Sequence, residues 1–320
     1  MQSESPFHEG ELLVQQRLSE AKEAQQNGRI IDDKIPQGAL KFIEQQPLVV
    51  LGSVDRHQNI WASILFGHPG FVKAVEQHAV EVDLSQALCN WNDPFWSNIE
   101  HYSQVGALFI ELASRRRLRL NGTSSRTSSE RLRLDVVESY PNCPKYIQRR
   151  HINVRIDSTS SQLLEQREGQ FLEVEQQELI TSADTFFVAS AHPSRGVDAS
   201  HRGGNPGFVQ ILSETKIRVP DYVGNSMYNT LGNFVVNPRA GLAFLDFERE
   251  PTSQRSRYRI LQLTGRPEIL WDLDDQNHTT GGTNRYWNFT IDRWLETALP
   301  QSLQSEFLDY SPFNPLPEFV

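Results

Sequence analysis

Leu48-Val49-Val50-Leu51-Gly52-Ser53 and Thr185-Phe186-Phe187-Val188-Ala189-Ser190 are one short apolar run written twice in the same chain. Further on, His68-Pro69-Gly70-Phe71-Val72 is answered by Asn205-Pro206-Gly207-Phe208-Val209 at the same spacing, since 185 − 48 = 137 and 206 − 69 = 137. Between these points Trp61-Ala62-Ser63 falls opposite Asp198-Ala199-Ser200 without a gap. Later, Gly106-Ala107-Leu108-Phe109-Ile110-Glu111 parallels Gly241-Leu242-Ala243-Phe244-Leu245-Asp246, and Leu118-Arg119-Leu120-Asn121-Gly122 parallels Leu261-Gln262-Leu263-Thr264-Gly265. Equal strand and turn lengths in the same order predict two copies of one module.

The runs are four to eight residues long, apolar or alternating, and bounded by turn residues, which is strand spacing. Helical spacing is rarer and is expected at residues 10–26, 93–102, 226–236 and 293–307. Many short strands with few helices predict a mostly β protein, a barrel or sandwich rather than a doubly wound sheet. The chain divides into a helical lead-in (1–34), a first β-barrel module (35–157), a polar linker (158–171) and a second module (172–320). The length of 320 residues agrees with two units on a scale of about 150 residues per domain.

Composition narrows the function. With 31 basic against 40 acidic residues the formal charge is −9, which excludes a protein that wraps nucleic acid or lies on an anionic membrane. No apolar run approaches the roughly 20 residues that span a bilayer. The first ten residues carry Glu4 and Glu9 and no apolar stretch, so no secretory signal is read and a cytoplasmic protein is expected. Cys89 and Cys143 are too few for a disulfide framework and lack a CxxC partner. GxxxxGK[ST], GxGxxG, HExxH and GxSxG are all missing, removing P-loop, Rossmann, zincin and α/β-hydrolase chemistry. His57, His68, His192 and His201 are placed in turns as solvated imidazoles, and no metal site is expected.

The chemistry concentrates in the second copy. Ser200-His201-Arg202-Gly203-Gly204 sets a hydroxyl, an imidazole and a guanidinium beside glycines that admit close approach to the backbone, a pattern suited to an anion. Pro220-Asp221-Tyr222-Val223-Gly224-Asn225-Ser226 opens the following helix and offers backbone N–H groups. From the first copy, Lys145 and Arg149 at i and i+4 of a helical turn would reach the same phosphate. Arg115, Arg117 and Arg119 share one side of a strand and read as a solvated face. Cys143, with no histidine base, reads as a small packed residue. The counterpart of Arg202 in the first copy is Leu65 (202 − 137 = 65), so that side is expected to be degenerate.

These segments resemble the pyridoxamine 5′-phosphate oxidase-like flavoproteins of the FMN-binding split-barrel fold, in particular members with two modules. The resemblance covers nearly the whole chain, from Phe7-His8-Glu9-Gly10-Glu11 through Arg115-Arg116-Arg117-Leu118-Arg119-Leu120-Asn121-Gly122 and Ser200-His201-Arg202-Gly203-Gly204 to Leu263-Thr264-Gly265-Arg266. It implies two tandem split barrels packed as an internal pseudo-dimer, within a monomer or a homodimer, with FMN in the groove between them. It further implies Ser200, His201, Arg202, Gly203, Asp221, Tyr222, Asn225 and Ser226 as cofactor contacts, with Lys145 and Arg149 from the other module, and an oxidoreductase acting on a small molecule. The sequence departs from the family in two places. Gly224-Asn225-Ser226-Met227 stands where the founding oxidases have a Ser-Arg-Lys phosphate grip, and the C-terminal Trp and Arg segment that grips pyridoxal phosphate has only Arg285-Tyr286-Trp287 as an echo. The alternatives are a non-catalytic cofactor binder, or haem or a deazaflavin in the same groove, with His201 as the axial ligand in the haem case.

Overall fold

The computed structural model describes residues 5–154, 164–247, 258–275, 278–299 and 303–315. In chain order the first half contains α1 (Glu9–Arg17), α2 (Ala21–Asn27), α3 (Leu40–Glu44), β1 (Leu48–Val54), β2 (Ile60–Gly67), β3 (Val72–Val75), β4 (Ala79–Asp83), β5 (Ala87–Leu88), α4 (Pro94–His101), β6 (Gln104–Glu111), β7 (Arg116–Ser128), β8 (Arg131–Pro141) and β9 (Arg149–Val154). The second contains β10 (Gln166–Gly169), α5 (Val174–Ser182), β11 (Thr185–His192), β12 (Gly196–Gly203), β13 (Gln210–Ser213), β14 (Lys216–Pro220), α6 (Asn229–Val236), β15 (Ala240–Leu245), β16 (Arg259–Leu270), β17 (Tyr286–Ala298) and β18 (Leu303–Asp309).

The duplication is written in the strand order. One sheet runs β3-β4-β8-β7-β6-β1-β2-β5, and the other, read from its far edge, runs β13-β14-β17-β16-β15-β11-β12. The register repeats as well: Leu48 faces Phe66 across β1 and β2, and Thr185 faces Gly203 across β11 and β12, each shifted by 137. Val49 faces Phe109, and Phe186 faces Phe244. The protein is mostly β, two tandem split barrels packed as a pseudo-dimer within one chain.

The continuous apolar runs follow from this packing, because strands buried on both faces have no polar side to alternate with. In β1, Val49 and Leu51 enter the core of the first barrel, whereas Leu48 and Val50 join a cluster shared with Phe187, Ala189, Val197 and Ala199 of the second module. In β11, Phe186 and Val188 enter the second barrel and Phe187 turns to the shared cluster. Glycine sets how close the modules come. A Cβ on Gly106 would lie 2.5 Å from the Val197 carbonyl oxygen, and one on Gly241 would lie 2.6 Å from that of Ile60. These are equivalent contacts, since 241 − 106 = 135 and 197 − 60 = 137. Arg150 at the start of β9 adds a bidentate ion pair to Asp184 of the second module, at 2.9 and 2.7 Å, with both side chains buried.

One expectation is corrected. The helix expected at residues 293–307 is absent: residues 293–298 complete β17, and β18 pairs with β9 rather than with its own barrel. Tertiary pairing overrides a local pattern there. In the expected linker, residues 158–163 lie outside the described residues, while β10 pairs with β17. Among the described residues no helix is long and apolar enough to cross a membrane.

Gly241→Ala is predicted to lower stability by roughly 1–3 kcal/mol, because backbone rather than a flexible side chain opposes the new methyl group. Gly38→Ala, with open space around the added carbon, should cost less than about 0.5 kcal/mol. Denaturant midpoints measure both, and equal losses would contradict the interface assignment.

Candidate cofactor site

Because β12 packs against both its own barrel and the first module, its two faces meet different neighbours. Asp198, Ser200 and Arg202 share one face and Val197, Ala199 and His201 the other. From the opposite module, Arg119 on β7 reaches across: its Nε donates to the Ala199 carbonyl at 3.0 Å, Nη1 to the Tyr140 hydroxyl at 2.8 Å, and Nη2 to Ser200 Oγ. Asp198, which lies 3.4 Å from Arg119 Nη1, also accepts from Asn121 and Asn233, each at 2.7 Å.

A cleft of about 910 Å³, part of it open to solvent, lies at this edge of the interface. Nine of the ten residues expected at the site line it: Lys145, Ser200, His201, Arg202, Gly203, Asp221, Tyr222, Asn225 and Ser226. Arg149 does not. Tyr146 sits in the left-handed region at φ 64°, which ends the expected helical turn, and Arg149 starts β9 instead. There its Nε donates to the Ala113 carbonyl at 2.7 Å and its Nη1 to Asp309 at 2.9 Å.

The expected solvated arginine face is corrected too. Arg119 is buried and Arg117 lines the cleft, because the second module covers that side of β7. The Nε atoms of Arg117 and Arg202 are shielded from solvent and have no hydrogen-bond partner. Burial, then the Arg202 charge, pushes Arg117 down to about 9. Burial, with Arg119 and Arg285 adding to it, lowers Arg202 although Asp221 opposes the shift. His201 is buried in β12 rather than solvated in a turn, neither ring nitrogen has a partner, and burial with Arg117 and Arg202 nearby holds it well below the usual histidine range. His192 likewise belongs to a strand, at the end of β11.

The mouth is aromatic. Tyr146 packs against Tyr222 with ring centres 4.8 Å apart and planes tilted by 40°, and its hydroxyl donates to the Val223 carbonyl at 3.0 Å, bridging the modules. Lys145 Nζ lies 5.5 Å from the centre of the Phe313 ring. Asp221 accepts from Arg285 Nε at 2.7 Å and so is already paired. Gly203 serves packing: a Cβ there would meet the Tyr146 carbonyl oxygen at 2.1 Å, so the space is taken by the chain itself rather than by a ligand.

Sequence reasoning missed Arg117 and Arg119. The available signal was the repeat itself, which sets Arg119 opposite Gln262 (262 − 119 = 143, as 261 − 118 = 143): a polar residue between leucines in both copies. The equivalent groove in the first module lacks the cations. Ile260 takes the place of Arg117, Gln262 that of Arg119, and Leu65, buried in its own barrel core, that of Arg202.

His8, Glu9 and His192 lie close enough together to suggest a metal, but the rings do not suit one. Each Nδ1 accepts a backbone N–H, from Gly10 at 3.1 Å and from Ser194 at 3.2 Å, which places the neutral ring's proton on Nε2. That proton is directed to Asn233 Oδ1 from His8 and to Glu9 Oε1 from His192, both at 3.0 Å. Neither ring keeps a lone pair for an ion. Nearby, Glu11 is buried, and burial followed by the Asp198 charge pushes its carboxyl up to about 8.

No protein-family model and no curated protein matches the chain. Among solved structures, a protein related to general stress protein 26 of B. subtilis (pyridoxinephosphate oxidase family), from Clostridium acetobutylicum, is 16% identical, covering 42% of this chain and 93% of its own, with a TM-score of 0.27. A FAD-binding protein from Mesorhizobium loti is 13% identical over 43% of this chain and 99% of its own, with a TM-score of 0.29. HutZ, the haem storage protein of Vibrio cholerae, is 14% identical over 45% of this chain and 99% of its own, with a TM-score of 0.24.

Glu11 holds its proton more tightly in the folded chain than its ordinary value near 4.5 allows, so its contribution to stability is present at low pH and is lost as pH rises toward about 8. Glu11→Gln should flatten that loss between about pH 5 and pH 8. Denaturation at the two pH values reads it, and an unchanged slope would contradict the assignment.

Proposed function

We propose that the cleft between the modules binds FMN and that the protein is an FMN-dependent oxidoreductase acting on a small molecule. The observation that carries this reading is the pair of half-buried guanidinium groups, Arg117 and Arg202, at one cleft, whose Nε atoms are shielded from solvent and have no hydrogen-bond partner. A shielded guanidinium N–H without an acceptor is costly, and a phosphate supplies both negative charge and acceptor oxygens.

Arg117, Arg202 and Ser200 would hold the phosphate, with Lys145 at the mouth, while Leu108, Tyr222, Tyr228 and Leu231 supply apolar and aromatic wall. Once bound, FMN supplies hydride or electron transfer. The protein's part is to orient the cofactor, exclude water and offer donors. Burial pushes Tyr146 up to about 12 and raises Tyr222 and Tyr228 further, so all three keep their protons near neutral pH. Asp221, tied to Arg285, is not free to act as a base. No side chain is assigned proton transfer.

His201 favours a second reading, haem, because a buried neutral imidazole with both nitrogens unpartnered is a candidate axial ligand. Purified protein incubated with FMN and desalted is expected to stay yellow. Arg202→Ala and Arg117→Ala should each weaken FMN about 10- to 100-fold, the scale of a lost charge-assisted hydrogen bond. Leu65→Ala should cost stability, roughly 2–5 kcal/mol, with FMN affinity intact. A colourless protein, or equal flavin loss in Leu65→Ala and Arg202→Ala, would sink the reading. A Soret band abolished by His201→Ala would favour haem.

A further inference from the structure

The modules place the same serine at the same point of β2 and β12, Ser63 and Ser200 (200 − 63 = 137). Each is gripped from the opposite module by an equivalent residue. Gln262 Nε2 donates to Ser63 Oγ at 3.1 Å and to the Ala62 carbonyl at 2.9 Å; Arg119 donates to Ser200 Oγ and to the Ala199 carbonyl. The copies differ in where the serine's own proton goes.

Ser63 Oγ donates to Asp93 Oδ1 at 2.5 Å. Asp93 is the N-cap of α4 and also accepts from the Phe95 N–H at 2.9 Å, so its carboxylate is seated among a hydroxyl, a nearby amide side chain and a helix N-terminus. In the second module the matching helix is α6 (229 − 94 = 135), and its N-cap position is Tyr228, left-handed at φ 61° and making no side-chain capping bond. Ser200 Oγ accepts from Arg119 and from Thr230 Oγ1 at 3.3 Å. A hydroxyl has two acceptor lone pairs and one proton. Both lone pairs of Ser200 are therefore used, and its proton has no acceptor among the described residues.

We propose that Asp93 is a built-in stand-in for the ligand: its carboxylate fills, in the first module, the seat that a phosphate oxygen of the bound ligand takes in the second, and Ser200 donates its proton to that oxygen. The proposal rests on reading the cleft as a phosphate site. It accounts for the missing cations of the first groove, where the protein supplies its own anion. It also assigns Ser200 a donor role that its neighbours force upon it.

Two arms test it. FMN and riboflavin are titrated against wild-type protein, Ser200→Ala, the near-isosteric poor donor Ser200→Cys, and Ser63→Ala. Both Ser200 variants should lose about 10- to 100-fold in FMN affinity, riboflavin affinity should change less than about threefold, and Ser63→Ala should bind FMN like the wild type. FMN affinity untouched by the Ser200 variants, or riboflavin lost equally, overturns the proposal. Wild-type protein that takes no FMN instead overturns the flavin reading, and inorganic phosphate then decides the proposal: it should raise the Tm of wild type but not of Ser200→Cys, and an equal rise overturns it. In the second arm, formate should raise the Tm of Asp93→Ala, whose anion seat is vacated, and leave the wild type unmoved; equal shifts overturn the stand-in.

Discussion

Two strand pairs, β1–β2 and β11–β12, are buried on both faces, and the rest of the architecture depends on that constraint. One face of each fills its own barrel, and the other presses against the partner pair at a distance that Gly52, Gly106 and Gly241 help to keep short. The cleft is a by-product of this contact. Ser200 and Arg202 on β12 have no complete site of their own, because Arg117, Arg119, Lys145 and Tyr146 all come from the other module. Joining the modules in one chain brings both halves together at a fixed ratio.

A duplicated scaffold would be expected to carry two equivalent clefts, yet the charge is spent on one side. Arg117, Arg119 and Arg202 face Ile260, Gln262 and Leu65 at the corresponding points. The corresponding points of the first groove carry no cation, and Ser63 donates to Asp93 there. A chain of net charge −9 thus gathers several cations at one place in the interface.

Much of the fold was legible in the sequence because strand length and turn chemistry are local and were printed twice at one spacing. The constant offset of 137 recurs in the register, which pairs Leu48 with Phe66 and Thr185 with Gly203. Of the ten residues expected at the site, nine line the cleft, eight of them in the Ser200 and Asp221 segments and the ninth, Lys145, in the first module. What failed was non-local. The sequence shows Arg117 and Arg119 alternating with leucines, and only the second module turns that polar face into a buried one. Arg149 was lost to a single left-handed residue, Tyr146, and residues 293–307 were misread because β17 and β18 are fixed by partners far away in the chain.

The central claim is one working cleft per chain, built from both modules. Equilibrium dialysis of the purified protein against FMN, with bound flavin counted per chain at saturation, tests it most directly. The account predicts one FMN per chain. Two would contradict the claim that only one groove is equipped for phosphate, and none would contradict the flavin assignment.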